Sequence, residues 1–381
     1  VTGKGPSRFP LFLTCPPGLE PILLDEVKAL GWSAATAEPG GVALSGAWHD
    51  VWRANLLVRG ASRVLVRLAQ FTAKTPAALF GKCRDVPWGE VLGQNQAFRV
   101  EAVCKGSAIY HSGAAEERVA KAAEKATGAE PSEDGMKIMV RIVRDVVTIS
   151  ADTSGPLLHK RGFKEDVAGA PLRETMGALF LRACGHKPGE VVLDPFCGSG
   201  TIPIEAAEIN RGLAPGRGRS FAFEKYPSFL PEVYQRLREK ALGSGEAHDV
   251  ISYGYDRVSG AVAASTGNAE RAGLADWTHF ETGEISRLTP PEGAKGLILT
   301  NPPYGARLGD SQSLVPLYKA FGQTMRERFG GWRIGLVTAH DQLAKATGLK
   351  LHPSAPVPHG GLKVRLWQSE PAAQDLAKAS G

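Results

Sequence analysis

Glu190-Val-Val-Leu-Asp-Pro-Phe-Cys-Gly-Ser-Gly-Thr201 leads straight into the helical run Ile202 to Ile209. Its first five residues, Glu190 to Asp194, are a short apolar run closing on an acid, the mark of a buried strand. A glycine-rich turn and a helix follow. The same grammar repeats downstream: Ile251 to Asp256 reads as a strand and Val258 to Ala272 as the helix after it. Trp277 to Glu281, Gly296 to Thr300 and Ile334 to Thr338 are further strands, with a helix over Leu314 to Phe329. Short apolar strands alternating with helices predict a mainly parallel, doubly wound α/β sheet. Gly361 to Trp367, after a Pro- and Gly-rich turn, reads as an antiparallel edge strand.

Upstream the pattern differs. Gly18 to Leu30 is an amphipathic helix with Leu19, Leu23, Val27 and Leu30 on one face. Arg63 to Phe71, Ala97 to Cys104 and Lys137 to Ser150 read as strands, and Ser112 to Thr127 as a helix. This mixture predicts a smaller α+β layer. The turn cluster Asp152 to Pro156 and the polar, basic stretch Leu157 to Ala170 mark the junction. The expected division is a front region over 1–155, a linker over 156–175 and a second domain over 176–381.

With 381 residues, 43% hydrophobic and 22% charged, the chain suits two globular domains. No apolar run approaches the roughly 20 residues of a membrane helix. Val1 to Phe9 holds two basic residues and no apolar stretch, so no signal peptide is expected. Cys15, Cys83, Cys104, Cys184 and Cys197 stand singly, which suits reduced thiols in a cytoplasm and neither disulfides nor zinc. The histidines show no metal-ligand spacing, and no metal is expected. The net charge of +6 permits a polyanionic partner without demanding one.

The loop from Asp194 through Pro195, Phe196, Gly198, Ser199 and Gly200 to Thr201 lies at a strand's carboxyl end, where open α/β sheets bind ligands. Glycines let backbone N–H groups approach a ligand closely. The loop lacks both the three-glycine dinucleotide spacing and the Gly-Lys-Ser/Thr of a phosphate loop. Asp256, ending the next strand, can take both hydroxyls of a ribose. An amino-acid end on the glycine loop and a ribose on the acid together point to S-adenosylmethionine. Cys197, inside the loop, reads as packing, not as a nucleophile.

Asn301-Pro302-Pro303-Tyr304-Gly305 follows a second strand end. Two prolines strip the loop of N–H donors and leave carbonyl acceptors. An exocyclic base amine is a poor nucleophile, because its lone pair is delocalised into the ring. The Asn301 side-chain oxygen and the Pro302 carbonyl can bind its two hydrogens and aim the lone pair at a methyl donor. Tyr304 offers a face for an extruded base.

Together LDPFCGSGT and NPPYG resemble the class I amino-methyltransferases. His159-Lys-Arg-Gly-Phe-Lys164, Ala170-Pro-Leu-Arg-Glu-Thr175, Ala214-Pro-Gly216 and Arg219-Ser-Phe-Ala-Phe-Glu224 are similar to THUMP-containing RNA methyltransferases, most of all the bacterial large-subunit ribosomal RNA guanine-N2 enzymes. Phe71, Pro87-Trp88, Phe98-Arg99-Val100, His111-Ser112 and Asp152 to Gly155 extend the likeness into the front region. The resemblance implies a ferredoxin-like and THUMP front that docks RNA, and a Rossmann-like catalytic domain behind it. It places the cofactor on Asp194 to Gly200 and Asp256, lays Pro171 and Thr175 over its amino-acid end, and gives the base to Asn301 to Tyr304. The family's adenine-contacting Asp falls on Glu284, one methylene longer. Some members carry a second methyltransferase domain, and one such domain is legible here.

Lys160, Arg161 and Lys164, in the junction, are the expected RNA-facing cations. A stripe of Arg59, Arg63 and Arg67 is a further candidate, while Trp88 and His111 read as structural. No obligate protein partner is inferred. The guanine assignment leans on the insertion carrying Arg219 to Glu224, because the acceptor pair serves guanine N2 and adenine N6 alike. An adenine-N6 enzyme on RNA or DNA, a tRNA guanine-N2 enzyme and a non-catalytic RNA-binding protein are the alternatives.

Overall fold

The computed structural model describes residues 8–165, 172–243, 245–293, 295–305 and 310–369. Two compact units divide the chain. One gathers the residues up to Cys15, Val27–Leu158 and Arg219–Ala241; the other gathers Pro16–Glu26, His159–Gly218 and the chain from Leu242 onward.

In chain order the front elements are β1 (Phe9–Thr14), α1 (Glu20–Ala29), β2 (Thr36–Glu38), β3 (Gly41–Gly46), α2 (Trp48–Leu57), β4 (Arg63–Thr72), α3 (Pro76–Cys83), β5 (Ala97–Lys105), α4 (Ser112–Thr127), β6 (Glu130–Pro131), β7 (Met136–Val143) and β8 (Val146–Asp152). The strands form one sheet in the order β2-β3-β1-β4-β8-β7-β5-β6. Pairing is antiparallel except where β5 meets β6 and β7. The single strand expected over Lys137 to Ser150 is a hairpin instead, turning at Arg144 and Asp145 with φ of 50° and 65°. Positive φ at both central residues is the requirement of a type I′ turn, usually signalled by Asn-Gly. Arg-Asp carries no such signal. Contacts from a neighbouring loop hold it: the Asp145 carboxylate accepts from Ala108 N at 2.7 Å, and Asp145 N donates to Ser107 Oγ at 3.0 Å.

The insertion Arg219–Ala241, inside the stretch assigned by sequence to the second domain, packs in the first unit. Phe223 is fully buried, stacked on Phe221 at 5.2 Å and edge-on to Tyr234 at 5.2 Å. Trp52 of α2 closes the cluster, 6.3 Å from Phe223. Tyr226 donates its hydroxyl to the Asp152 carbonyl at 2.8 Å. The aromatic residues of the insertion are therefore core.

The second unit holds α5 (Glu174–Ala183), β9 (Val191–Asp194), α6 (Thr201–Asn210), β10 (Ser252–Asp256), α7 (Ser259–Arg271), β11 (Thr278–Thr282), β12 (Gly296–Thr300), β13 (Arg333–Thr338), β14 (His352–Pro353), β15 (Val357–His359) and β16 (Leu362–Gln368), with a long helix over Asp310–Arg328. The strand order is β11-β10-β9-β12-β13-β16-β14, with β15 paired to β16. From β11 to β13 all pairs are parallel, and β16 runs antiparallel to β13. Contrary to expectation β16 is not the edge, since β14 pairs beyond it. The sheet grows both ways from β9, so the crevice opens at the carboxyl ends of β9 and β12. Leu193, Leu297, Ile298 and Leu299, all fully buried, anchor those two strands in the core. Among the described residues no helix is long and apolar enough to cross a membrane.

Candidate active site

Beyond Asp194 the chain reverses through two left-handed glycines, Gly198 (φ +54°) and Gly200 (φ +82°), into α6. At Gly200 a Cβ would come within 3.1 Å of both Ile204 and Ser265; at Gly198 it would meet nothing within 4 Å. Asp194 Oδ1 accepts from Phe196 N at 3.0 Å and from Thr300 Oγ1 at 2.5 Å, tying the end of β9 to the end of β12. Burial, with Asp256 nearby, pushes this carboxyl up to about 7. Asp256 accepts from Gly198 N at 3.1 Å and from Val258 N at 3.0 Å, so the acid and the glycine loop form one structure. Burial and the two acids drive the Cys197 thiol far up, and its Sγ lies 3.6 Å from Ser265 Oγ; it stays protonated and packed.

Asn301 follows β12 directly. Its Oδ1 is buried and has no hydrogen-bond partner among the described residues. The Pro303 carbonyl accepts from the Tyr318 hydroxyl at 3.2 Å, which steadies the loop from the helix behind it. Tyr304 is half-buried, and burial raises its hydroxyl.

A cavity of about 720 Å³ brings these parts together. Asp194, Phe196, Gly198, Ser199, Thr201 and Asp256 line it on the loop side, and Asn301, Pro302, Pro303 and Tyr304 on the other motif's side. Pro195 and Gly200 shape the turn without lining the cavity. Ser199 Oγ is a second buried polar atom without a partner among the described residues. Glu284 lines an adjoining cavity of about 630 Å³, and Arg257 lines both. Thr175 is buried within α5 and does not reach the cavity; Leu172 does so from the same segment. Pro171 lies outside the described residues.

The expected basic wall needs correction. Arg161 is 2% exposed and paired with the equally buried Glu205 at 3.1 Å. Lys164 donates to Thr201 Oγ1 at 2.7 Å and pairs with Glu174 at 2.9 Å. Both cations face inward, because buried Glu205 and Glu174 demand partners there. Of the three, Lys160 alone is exposed. The arginine stripe fails likewise: Arg63 binds Asp152 and the Gly155 carbonyl, and Arg67 pairs with Glu38 and lies over the Phe12 ring. Trp88 donates to the Cys83 carbonyl at 2.7 Å and His111 caps α4, both structural.

Sequence reading missed His359, Gly360 and Leu362, which bring the β15–β16 hairpin to the cavity. The Gly360-Gly361 pair between short β runs was the available signal.

The family model for the RMKL-like methyltransferase domain matches residues 161–364, and that for the RlmL ferredoxin-like domain matches residues 10–65. The chain belongs to the RMKL-like methyltransferase family. Among its relatives, the ribosomal RNA large subunit methyltransferase K/L of Syntrophotalea carbinolica is 36% identical, over 97% of this chain and 54% of its own. The chain thus spans about half the length of the curated relatives it matches. SMU.472, a methyltransferase complexed with SAH, superposes with a TM-score of 0.84 at 28% identity, covering 96% of this chain and 98% of that one. A predicted N6-adenine-specific DNA methylase from Listeria monocytogenes gives 0.84 at 30% identity, covering 95% and 96%. The ferredoxin-like front and Rossmann-like second unit expected from sequence are the family's two folds.

Proposed function

We propose that this chain is an S-adenosylmethionine-dependent methyltransferase acting on the exocyclic N2 of guanine in large-subunit ribosomal RNA. The observation that carries the reaction class is the buried Asn301 Oδ1, without a partner among the described residues and set one strand over from the glycine loop. A buried acceptor left unpaired costs about 1–3 kcal/mol, and a ligand N–H removes that cost.

The residues present fit the cofactor. Ser199 offers a buried hydroxyl without a partner among the described residues, Gly198 borders open space, and the two adjoining cavities share Arg257. Gly198 to Gly200 would hold the amino-acid end, Asp256 the ribose, and the cavity beside Glu284 the adenine. When bound, S-adenosylmethionine supplies an electrophilic methyl on a sulfonium. Asn301 Oδ1 accepts one hydrogen of the base amine and the Pro302 carbonyl the other, which localises the nitrogen lone pair for in-line attack. Tyr304 supports the base through its ring. The site works by position and electrostatics.

Ribosomal RNA is favoured because the curated relatives are named for large-subunit ribosomal RNA, and guanine N2 because of the sequence resemblance to the guanine-N2 enzymes. Adenine N6 is the second reading, favoured by the name of the Listeria relative. The front region would dock the RNA and the second unit perform the chemistry, in the cytoplasm where ribosomal RNA resides.

Asn301→Ala should abolish methyl transfer to large-subunit ribosomal RNA and leave S-adenosylmethionine affinity by calorimetry almost unchanged. Asp256→Ala should do the reverse first, weakening cofactor binding. Activity of Asn301→Ala within about tenfold of wild type, roughly 1.4 kcal/mol of barrier, would overturn the assignment.

A further inference from the structure

His359 occupies a position that the two motifs leave unexplained. It ends β15, opposite Leu362 of β16, across a two-residue turn whose glycines both take positive φ, +56° at Gly360 and +83° at Gly361. Strand alternation puts His359 on the same buried face as Val357, with the exposed Pro358 between them. The imidazole is 8% exposed and lines the cavity that holds Asn301 and Tyr304. Its Nε2 is buried with no hydrogen-bond partner among the described residues. Such an atom is costly unless something that enters the cavity pairs with it.

Two occupants could do so, the cofactor or the base. The ring's charge state separates them. Burial, together with the charge of Arg173, lowers the His359 pKa, so the imidazole is neutral. A neutral ring suits a neutral base edge, and the cofactor's amino-acid end already has the glycine loop and the Ser199 hydroxyl to hold it. Held by its N2 amine on Asn301 and Pro302, a guanine still has N1–H and O6 unmatched. A neutral imidazole carries one donor and one acceptor nitrogen and can serve either.

We propose that His359 hydrogen-bonds the N1/O6 edge of the target guanine and so orients the base whose amine Asn301 holds. This rests on the guanine-N2 reading above. The ring touches substrate and moves no proton in the reaction.

The test uses an unmethylated ribosomal RNA oligonucleotide bearing the target guanosine, and the same oligonucleotide with 2-aminopurine there. 2-Aminopurine keeps the amine that receives the methyl, lacks O6, and presents a bare N1 where guanine presents N1–H. His359→Ala should lower kcat/KM on the guanosine RNA by roughly tenfold to a hundredfold and change the 2-aminopurine RNA by less than about threefold. His359→Gln, which can still hydrogen-bond, should recover part of the loss. S-adenosylmethionine affinity by calorimetry should stay at the wild-type value. Equal losses on both RNAs, no loss on either, or weakened cofactor binding would each overturn the role. Wild-type protein that fails to methylate the guanosine RNA would instead remove the reading beneath it.

Discussion

At Asp194 the carboxyl is fully buried and titrates near pH 7 in the folded protein, against an ordinary value near 3.8. The folded state therefore holds this proton more tightly than the unfolded chain does. The stabilising effect is complete below the unfolded pKa and is lost as pH rises from about 4 through about 7. Asp194→Asn keeps the oxygen that accepts from Thr300 and Phe196 and removes the titration. Its Tm relative to wild type should rise as pH goes from about 4 to about 7, read by thermal melts of both proteins across that range. A difference that stays flat with pH would contradict the buried, proton-linked carboxyl. Arg161 and Lys164 were legible as cations, but a sequence does not say which way a cation points. Buried Glu205 and Glu174, far along the chain or in the next element, turn them inward.

Among the elements, the insertion between α6 and β10 is the one whose role changed most. Its Arg219 to Glu224 run stood in sequence as a mark of substrate class, yet its rings build a core with Trp52. Phe223→Ala should cost about 3–5 kcal/mol, seen as a lowered urea midpoint for the front unit. A loss under about 1 kcal/mol would mean that the insertion is not part of that core. The strands β9 and β12 were readable because they are buried on both faces and their apolar runs are continuous. The β7–β8 hairpin was not, since its turn uses Arg144-Asp145, held by contacts from Ala108 and Ser107 that lie far off in sequence. The two site motifs were readable for a related reason: each sits at a strand end, and its chemistry is carried by adjacent residues. His359 was not, as it reaches the cavity only through pairing of β15 with β16.

For the molecule as a whole, the residues proposed to place a base amine before a methyl donor lie within one unit, around two adjoining cavities at the switch point of its sheet. Neither the Asn301 side-chain oxygen nor the Pro302 carbonyl distinguishes guanine N2 from adenine N6, so the identity of the methylated nucleoside decides between the two readings. The chain should be incubated with unmethylated large-subunit ribosomal RNA and S-adenosylmethionine, and the RNA digested to nucleosides for mass spectrometry. N2-methylguanosine is the methylated nucleoside expected; N6-methyladenosine, or no methylated nucleoside at all, would contradict the proposed function.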